Sequence, residues 1–158
     1  MLKALFGDEA HQAPGVSLEA PPWRLDQATM EPGFVRSGGP PLWLGGQGPR
    51  GLRIAARYAD GWNYASNLSG TLEGFTERLD ALRRACEEIG RDPAELTIST
   101  QIIIPADAAG RRTATERALA YGRAGSDEIL LTTPARQGAA GIRRLASEVA
   151  APLRDAFG

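Results

Sequence analysis

Pro41-Leu42-Trp43-Leu44-Gly45-Gly46-Gln47-Gly48-Pro49-Arg50-Gly51 decides how this chain is read. Leu42-Trp43-Leu44 is a short apolar run closed by two glycines, the pattern of a buried strand that ends in a turn. Pro49 has φ preset for a helix and lacks an N–H that the first turn would leave unpaired, so a helix is expected over 49–58. Leu52, Ala55 and Ala56 give it an apolar side. Glycines between strand and helix let the backbone approach a ligand, and the first free N–H groups of a helix favour an anion. The stretch reads as a phosphate-binding strand–turn–helix or as an ordinary tight turn, since glycines are common at strand ends.

Downstream the pattern stays regular. Asp60-Gly61-Trp62-Asn63-Tyr64 is a second, shorter strand. A helix is expected over 71–89, where Leu72, Phe75, Leu79, Leu82, Cys86 and Ile89 recur at spacings of three and four before Gly90. Asp92-Pro93-Ala94-Glu95 has the form of a capped single turn. A third strand is expected over 96–104, an alanine-rich helix over 111–124 ended by Gly125, and a fourth strand over 128–132. The last helix, 139–157, aligns Ile142, Leu145, Val149 and Leu153, with Pro152 set to kink it. Four strand–helix units at this spacing predict a parallel sheet with crossover helices.

Upstream, a short helix over 1–6 leads into 12–41, where Pro14, Pro21, Pro22, Pro32, Pro40 and Pro41 and four glycines exclude a long helix. This stretch is expected to be an irregular insertion before the first regular strand. Extended pieces such as Pro22-Trp23-Arg24-Leu25 suit an edge strand, with Trp23 and Phe34 packing the segment down. Residues 1–158 read as a single domain. A (β/α)8 barrel needs eight units and about 250 residues. Four units therefore make either a small open α/β sheet or the C-terminal half of such a barrel.

Composition narrows the function. Eighteen basic against nineteen acidic residues give a net charge of −1, which removes the electrostatic case for nucleic acid or an anionic membrane surface. One cysteine and one histidine, Cys86 and His11, exclude an internal disulfide, a cysteine-based zinc site and a two-histidine metal centre; no metal is expected. No apolar run approaches 18 residues, and the N-terminus meets acid at Asp8-Glu9, unlike a signal peptide; a soluble cytoplasmic protein is expected. No serine, histidine and acid stand in hydrolase spacing. Gly46-Gln47-Gly48-Pro49-Arg50-Gly51 also fits G-x-G-x-x-G, the dinucleotide fingerprint. Against that, Asp60 opens the following strand, whereas the fingerprint's acid should close it.

The run from Pro40 to Arg50, followed by Leu52-Arg53-Ile54-Ala55-Ala56-Arg57-Tyr58-Ala59-Asp60-Gly61-Trp62-Asn63, resembles the luciferase-like monooxygenase family. Within that family it is most similar to the coenzyme F420-dependent oxidoreductases. The resemblance continues from Leu79-Asp80-Ala81-Leu82 through Gly90-Arg91-Asp92-Pro93-Ala94-Glu95, and Ala124-Gly125-Ser126-Asp127-Glu128-Ile129-Leu130-Leu131 resembles the family's last barrel strand. It covers nearly the whole chain.

The resemblance implies a (β/α)8 TIM barrel with a flavin or deazaflavin at the carboxyl ends of the strands. This chain would supply strands five to eight, and 12–41 would be the insertion before strand five. The first four strands, with the family's catalytic residues, have no counterpart, so no catalytic residue is assigned. Gly45, Gly46, Gln47 and Gly48 match the turn beside the cofactor's phosphate and side chain, Pro49 and Arg50 the start of the next helix, and Trp62 and Asn63 the end of strand six, facing the barrel mouth. The implied reaction is hydride transfer between F420 and a small organic substrate. An FMN-dependent flavin monooxygenase and a non-catalytic half-barrel are the alternatives. Open sheet edges would favour self-association or a partner supplying the missing half.

Beside these stand plainer readings. Arg50, Arg53 and Arg57 either attract a phosphorylated or polyglutamyl cofactor tail or form a solvated face. Trp43 is expected in the core, Trp62 on a ring or on loops, His11 exposed, and Cys86 buried without chemistry. Asp60 and Glu128 begin strands, at the end opposite a barrel's catalytic face.

Overall fold

Residues 12–41 are more regular than their prolines and glycines suggest. In the computed structural model, which describes residues 1–66 and 70–158, helix α1 (Leu2–Phe6) and a 3-10 turn (Asp8–His11) precede an antiparallel hairpin of β1 (Val16–Ala20) and β2 (Trp23–Ala28). The prolines stand in the turn, at Pro21-Pro22, and leave a period-two pattern of Val16, Leu18, Trp23 and Leu25 intact on the strands. The register slips between Val16 and Leu18, where Gln27 takes φ 45° and its N–H donates to Ser17 Oγ at 3.0 Å. Trp23 is exposed rather than packed down. Phe34 does pack, edge-on to Phe6 at 5.1 Å and to His11 at 5.4 Å. His11, expected to be exposed, is half-buried because its Nδ1–H donates to the Met30 carbonyl at 2.7 Å. This segment, Met1–Pro41, is one compact unit of the chain, and Leu42–Gly158 is the other.

The second unit holds the four strand–helix repeats. In order they are β3 (Trp43–Leu44), α2 (Pro49–Tyr58), β4 (Gly61–Tyr64), α3 (Leu72–Glu87), β5 (Thr97–Ile103), α4 (Ala108–Arg123), β6 (Glu128–Thr132), α5 (Gly138–Leu145) and α6 (Ala151–Phe157). The strands are all parallel and lie in sequence order, β3-β4-β5-β6. With crossovers of the usual right hand, stepping always the same way keeps every helix on one face. A dinucleotide-binding sheet reverses direction at a switch point and carries helices on both faces. The sequential order therefore removes the reading of Gly46–Gly51 as a dinucleotide fingerprint.

Helix starts follow from their caps. Thr71 Oγ1 accepts the Gly74 N–H at 3.0 Å and Asp107 Oδ1 that of Gly110 at 2.8 Å, which begins α4 earlier than residue 111. Asp92 caps a 3-10 turn at Pro93–Glu95. Strand starts are held by two other aspartates. Asp60 donates its N–H to the Leu42 carbonyl at 2.8 Å and accepts the Leu42 N–H on its carboxylate at 2.7 Å. Asp127 repeats this with Ile98, at 2.7 Å both ways. Each clamps the start of its own strand to the strand before it.

The register turns Trp62, Tyr64, Ile98 and Ile102 toward the helices. They meet Leu52, Ala55 and Ala56 of α2, Phe75, Leu79, Leu82 and Cys86 of α3, and Ala118 and Tyr121 of α4. Phe75 is the hub, stacked on Trp62 at 6.3 Å and edge-on to Tyr64 at 5.5 Å and Tyr121 at 5.4 Å. Three expectations fail at the margins. Leu72 is 41% exposed and Ile89 is exposed as well, because both lie at the ends of α3, beyond the sheet. Ile142 is exposed because 139–157 is not one uniform helix. Pro152 has no N–H to give residue 148, and a π turn at Ala146–Ala150 absorbs the mismatch and shifts the phase between Ile142 and the buried pair Val149 and Leu153.

Trp43 is the third failure. Leu44 pairs with Trp62 and turns inward, so Trp43, one residue earlier, must point to the other face. There it is 40% exposed and lies on Gly61, where an added Cβ would come within 2.6 Å of the indole.

Candidate functional site

Because the four strands run the same way, the loops that follow them gather at one edge of the sheet, the edge where α/β folds place ligands. The first of these loops is Gly45–Gly48. Position 45 has ordinary room, with the Asn63 carbonyl 3.7 Å from where a Cβ would stand. Gly46 has none. A Cβ there would lie 3.0 Å from the Gly51 Cα, and one on Gly51 would lie 2.9 Å from the Gly46 Cα. The turn thus packs backbone on backbone against the first turn of α2. The Gly46 carbonyl is also engaged, accepting Trp62 Nε1–H at 3.0 Å.

Gly48 is different. It is the N-cap of α2, in extended conformation, with nothing within 4 Å of a would-be Cβ. Its missing side chain leaves α2 without the oxygen that Thr71 and Asp107 supply to α3 and α4. Pro49 has no N–H, and Leu52 N–H already bonds the Gly48 carbonyl. The unfilled donors at the head of α2 are therefore the N–H groups of Arg50 and Gly51, with open space at Gly48 and a positive helix terminus behind them. That arrangement fits an anion such as a phosphate monoester or diester.

The remaining residues singled out in the sequence divide. Gln47 and Pro49 border the same open space, at a cleft between α2 and α3. Arg50 is exposed at the helix start. Asn63 lies on the face away from the helices, half-buried, and its Nδ2–H donates to Ser99 Oγ at 2.8 Å. Trp62 is fully buried on the helix side. It meets the turn through the Gly46 carbonyl and points to the face opposite Asn63, since adjacent strand residues point to opposite faces.

Several contributors went unread. Gly51 is one, paired with Gly46. Ser99 and Gln101 share the face of Asn63, and the buried Ser66, just after β4, donates from Oγ to the Gln101 carbonyl. Their signal was the alternation Thr97, Ser99, Gln101 against Ile98, Thr100, Ile102, which sets a polar line opposite the core. Asp127 is another, repeating Asp60.

Titration adds little chemistry. Burial pushes the Cys86 thiol up, which leaves it protonated and a poor nucleophile. Burial, with Tyr121 second, raises Tyr64. The Gly110 N–H holds Asp107 below the usual carboxylate range. Among the described residues no group of three or more His, Cys, Asp or Glu is placed to hold a metal ion, and no helix is long and apolar enough to cross a membrane.

Comparison with known proteins agrees with this architecture. The model of the luciferase-like monooxygenases matches residues 2–157. Curated relatives include the phthiodiolone/phenolphthiodiolone dimycocerosates ketoreductases of Mycobacterium sp. strain JLS, 32% identical over 89 residues, and of Mycobacterium tuberculosis strain H37Rv, 33% identical over 82. These stretches are 56% and 52% of this chain but only 23% and 21% of the relatives. Among solved structures, the coenzyme F420-dependent tetrahydromethanopterin reductase of Methanopyrus kandleri superposes with a TM-score of 0.71 at 12% identity, over 95% of this chain and 61% of that one. An F420-dependent secondary alcohol dehydrogenase with an F420–acetone adduct gives 0.66 at 14%, over 90% and 57%. A riboflavin lyase with modified FMN and riboflavin gives 0.68 at 12%, over 97% and 55%. At these identities the structural likeness establishes the fold.

Proposed function

The chain belongs to the luciferase-like monooxygenase family, and from that premise we propose that it is the C-terminal half of a (β/α)8 barrel whose reaction is hydride transfer between coenzyme F420 and a small organic substrate. The observation that carries this is the bare glycine start of α2, placed at the carboxyl edge of a sequential, one-faced parallel sheet. Two F420-dependent enzymes of the same fold, and curated relatives that are ketoreductases, support it.

Bound F420 supplies a deazaflavin ring that carries the hydride. This chain's own part is to position it. Backbone at Gly45 and Gly48 admits the cofactor's phosphate, the free N–H groups of Arg50 and Gly51 bind it, and the Arg50 guanidinium adds positive charge nearby. Trp62 keeps the turn in place through the Gly46 carbonyl. Asn63, braced by Ser99, offers polar contact on the sheet face where the ring and substrate would lie. FMN is the second reading, favoured by the likeness to a flavin-bound lyase, because it too presents a phosphate on a flexible side chain and the turn serves either. The open edges at β3 and β6 ask for cover from a second copy or a complementary half.

Fluorescence titration of the barrel completed by a complementary half, with F420 and with FMN, tests this. Gly48→Val is expected to weaken binding about tenfold or more, the loss of a charge-assisted contact, with the thermal melt lowered only slightly by valine at the N-cap. Gly46→Val is expected to lower the melt itself, because its side chain meets Gly51. Failure to bind either cofactor overturns the proposal.

A further inference from the structure

The face of the sheet turned away from the helices is almost without charge. Register places every second residue of β3, β4, β5 and β6 on it, from Trp43 to Thr132. Glu128 is the one acidic residue among these, and none is lysine or arginine. Glu128 stands at the foot of β6, beside Ser99, whose Oγ already accepts the Asn63 amide N–H at 2.8 Å. It is exposed and joins no ion pair among the described residues. In a chain that is 23% charged, so sparse a face is unlike a surface left to water, and all-parallel sheets are ordinarily covered on both sides.

We propose that this face docks a second, non-identical half-barrel that presents a lysine or arginine to Glu128, in preference to a second copy of this chain; the assignment rests on the half-barrel reading above. Covering the face takes Glu128 out of water, and a carboxylate buried without a partner is costly. Two copies closed on each other would bring both Glu128 carboxylates into one interior whose strands hold no base. A partner with a cation there pairs the charge, so Glu128 discriminates between the two occupants. Ile103 and Leu130, 50% and 42% exposed, supply apolar attraction to either, so copies still associate weakly. Both edge strands, β3 and β6, run parallel to the rest, so the docked sheet must add a parallel strand at each edge. The contact lies at the foot of the sheet, away from the ligand edge, and selects the partner without entering the chemistry.

The chain itself supplies the probe, because Glu128→Lys yields a half-barrel with a base on this face. Sedimentation over a concentration series compares the unsubstituted chain, Glu128→Gln, Glu128→Lys, and an equimolar mixture of the unsubstituted chain with Glu128→Lys. The mixture should associate about tenfold more tightly than either of its components at low salt, and the advantage should shrink as salt rises. Glu128→Gln should associate with itself about threefold more tightly than the unsubstituted chain does. Asp155→Lys, exposed on α6 and off this face, should give no advantage on mixing. Equal association of the mixture and its components overturns the proposal and leaves the half-barrel reading standing. A tight dimer of the unsubstituted chain that Glu128→Gln fails to strengthen does the same. Absence of association in every chain and in the mixture overturns both.

Discussion

The two faces of the four-stranded sheet share one backbone and have opposite surroundings. On the helix side Trp62, Phe75, Leu79, Leu82 and Ile102 are essentially fully buried. On the other side Trp43, Ile103 and Leu130 are 40%, 50% and 42% exposed, interspersed with the half-buried Asn63 and Gln101 and the buried Ser99. Period-two alternation distributes side chains equally to both faces, so the asymmetry arises from where the helices go, and sequential crossovers send them all one way. The covered face makes the fold. The uncovered face mixes exposed apolar side chains with hydrogen-bonding groups.

Substitution should expose that asymmetry most clearly. Phe75→Ala removes the hub of the aromatic cluster and is expected to cost about 3–5 kcal/mol in urea denaturation. Leu130→Ala, on the uncovered face, should change stability by no more than about 0.5 kcal/mol in dilute solution. Light scattering across a concentration series should meanwhile show self-association that Leu130→Lys or Ile103→Lys reduces. Comparable losses for Phe75→Ala and Leu130→Ala at low concentration would mean that both faces are covered.

A smaller effect concerns the strand starts. Asp127→Ala leaves the Ile98 N–H without its acceptor and is expected to cost about 1–3 kcal/mol. Glu128→Gln, one residue on and exposed, should be close to neutral by the same measurement.

Smallest is the pH dependence. Asp107 titrates below its ordinary value in the folded chain, so its contribution is complete above the usual carboxylate range and is lost as pH falls through the lowered value. Tyr64 titrates above its ordinary 10.0, so its contribution is complete below that value and is lost as pH rises through the raised one. Melting temperatures followed against pH should fall at both limits. Asp107→Asn should flatten the acid limb and Tyr64→Phe the alkaline one.

The regular half of the molecule was readable because its patterns are long. The stripe from Phe75 to Cys86 spans three turns, and 128–132 is an uninterrupted strand of five. Short elements defeated the same reasoning. β3 has two residues, too few for alternation to show which of Trp43 and Leu44 faces the helices; only the pairing with β4 decides it. The hairpin at 16–28 was hidden by prolines that sit at its turn. At the candidate site the glycine cluster was conspicuous, yet its division of labour was not. Gly46 and Gly51 need each other and Gly48 needs nothing, and that difference lies in distances between residues five apart, which no local pattern encodes.

The aspartate clamps have a consequence for how such a sheet is assembled. Asp60 and Asp127 each precede their own strand, and each grips the backbone of the strand before it, through an N–H and a carbonyl that any residue except proline offers in full. The docking instruction therefore travels with the incoming unit and asks for no particular side chain from its host. Two of the three strand junctions are joined this way, and the step from β4 to β5 does without it. The clamp itself needs no matching side chain in the neighbour that receives it, while the packing of the helices still does.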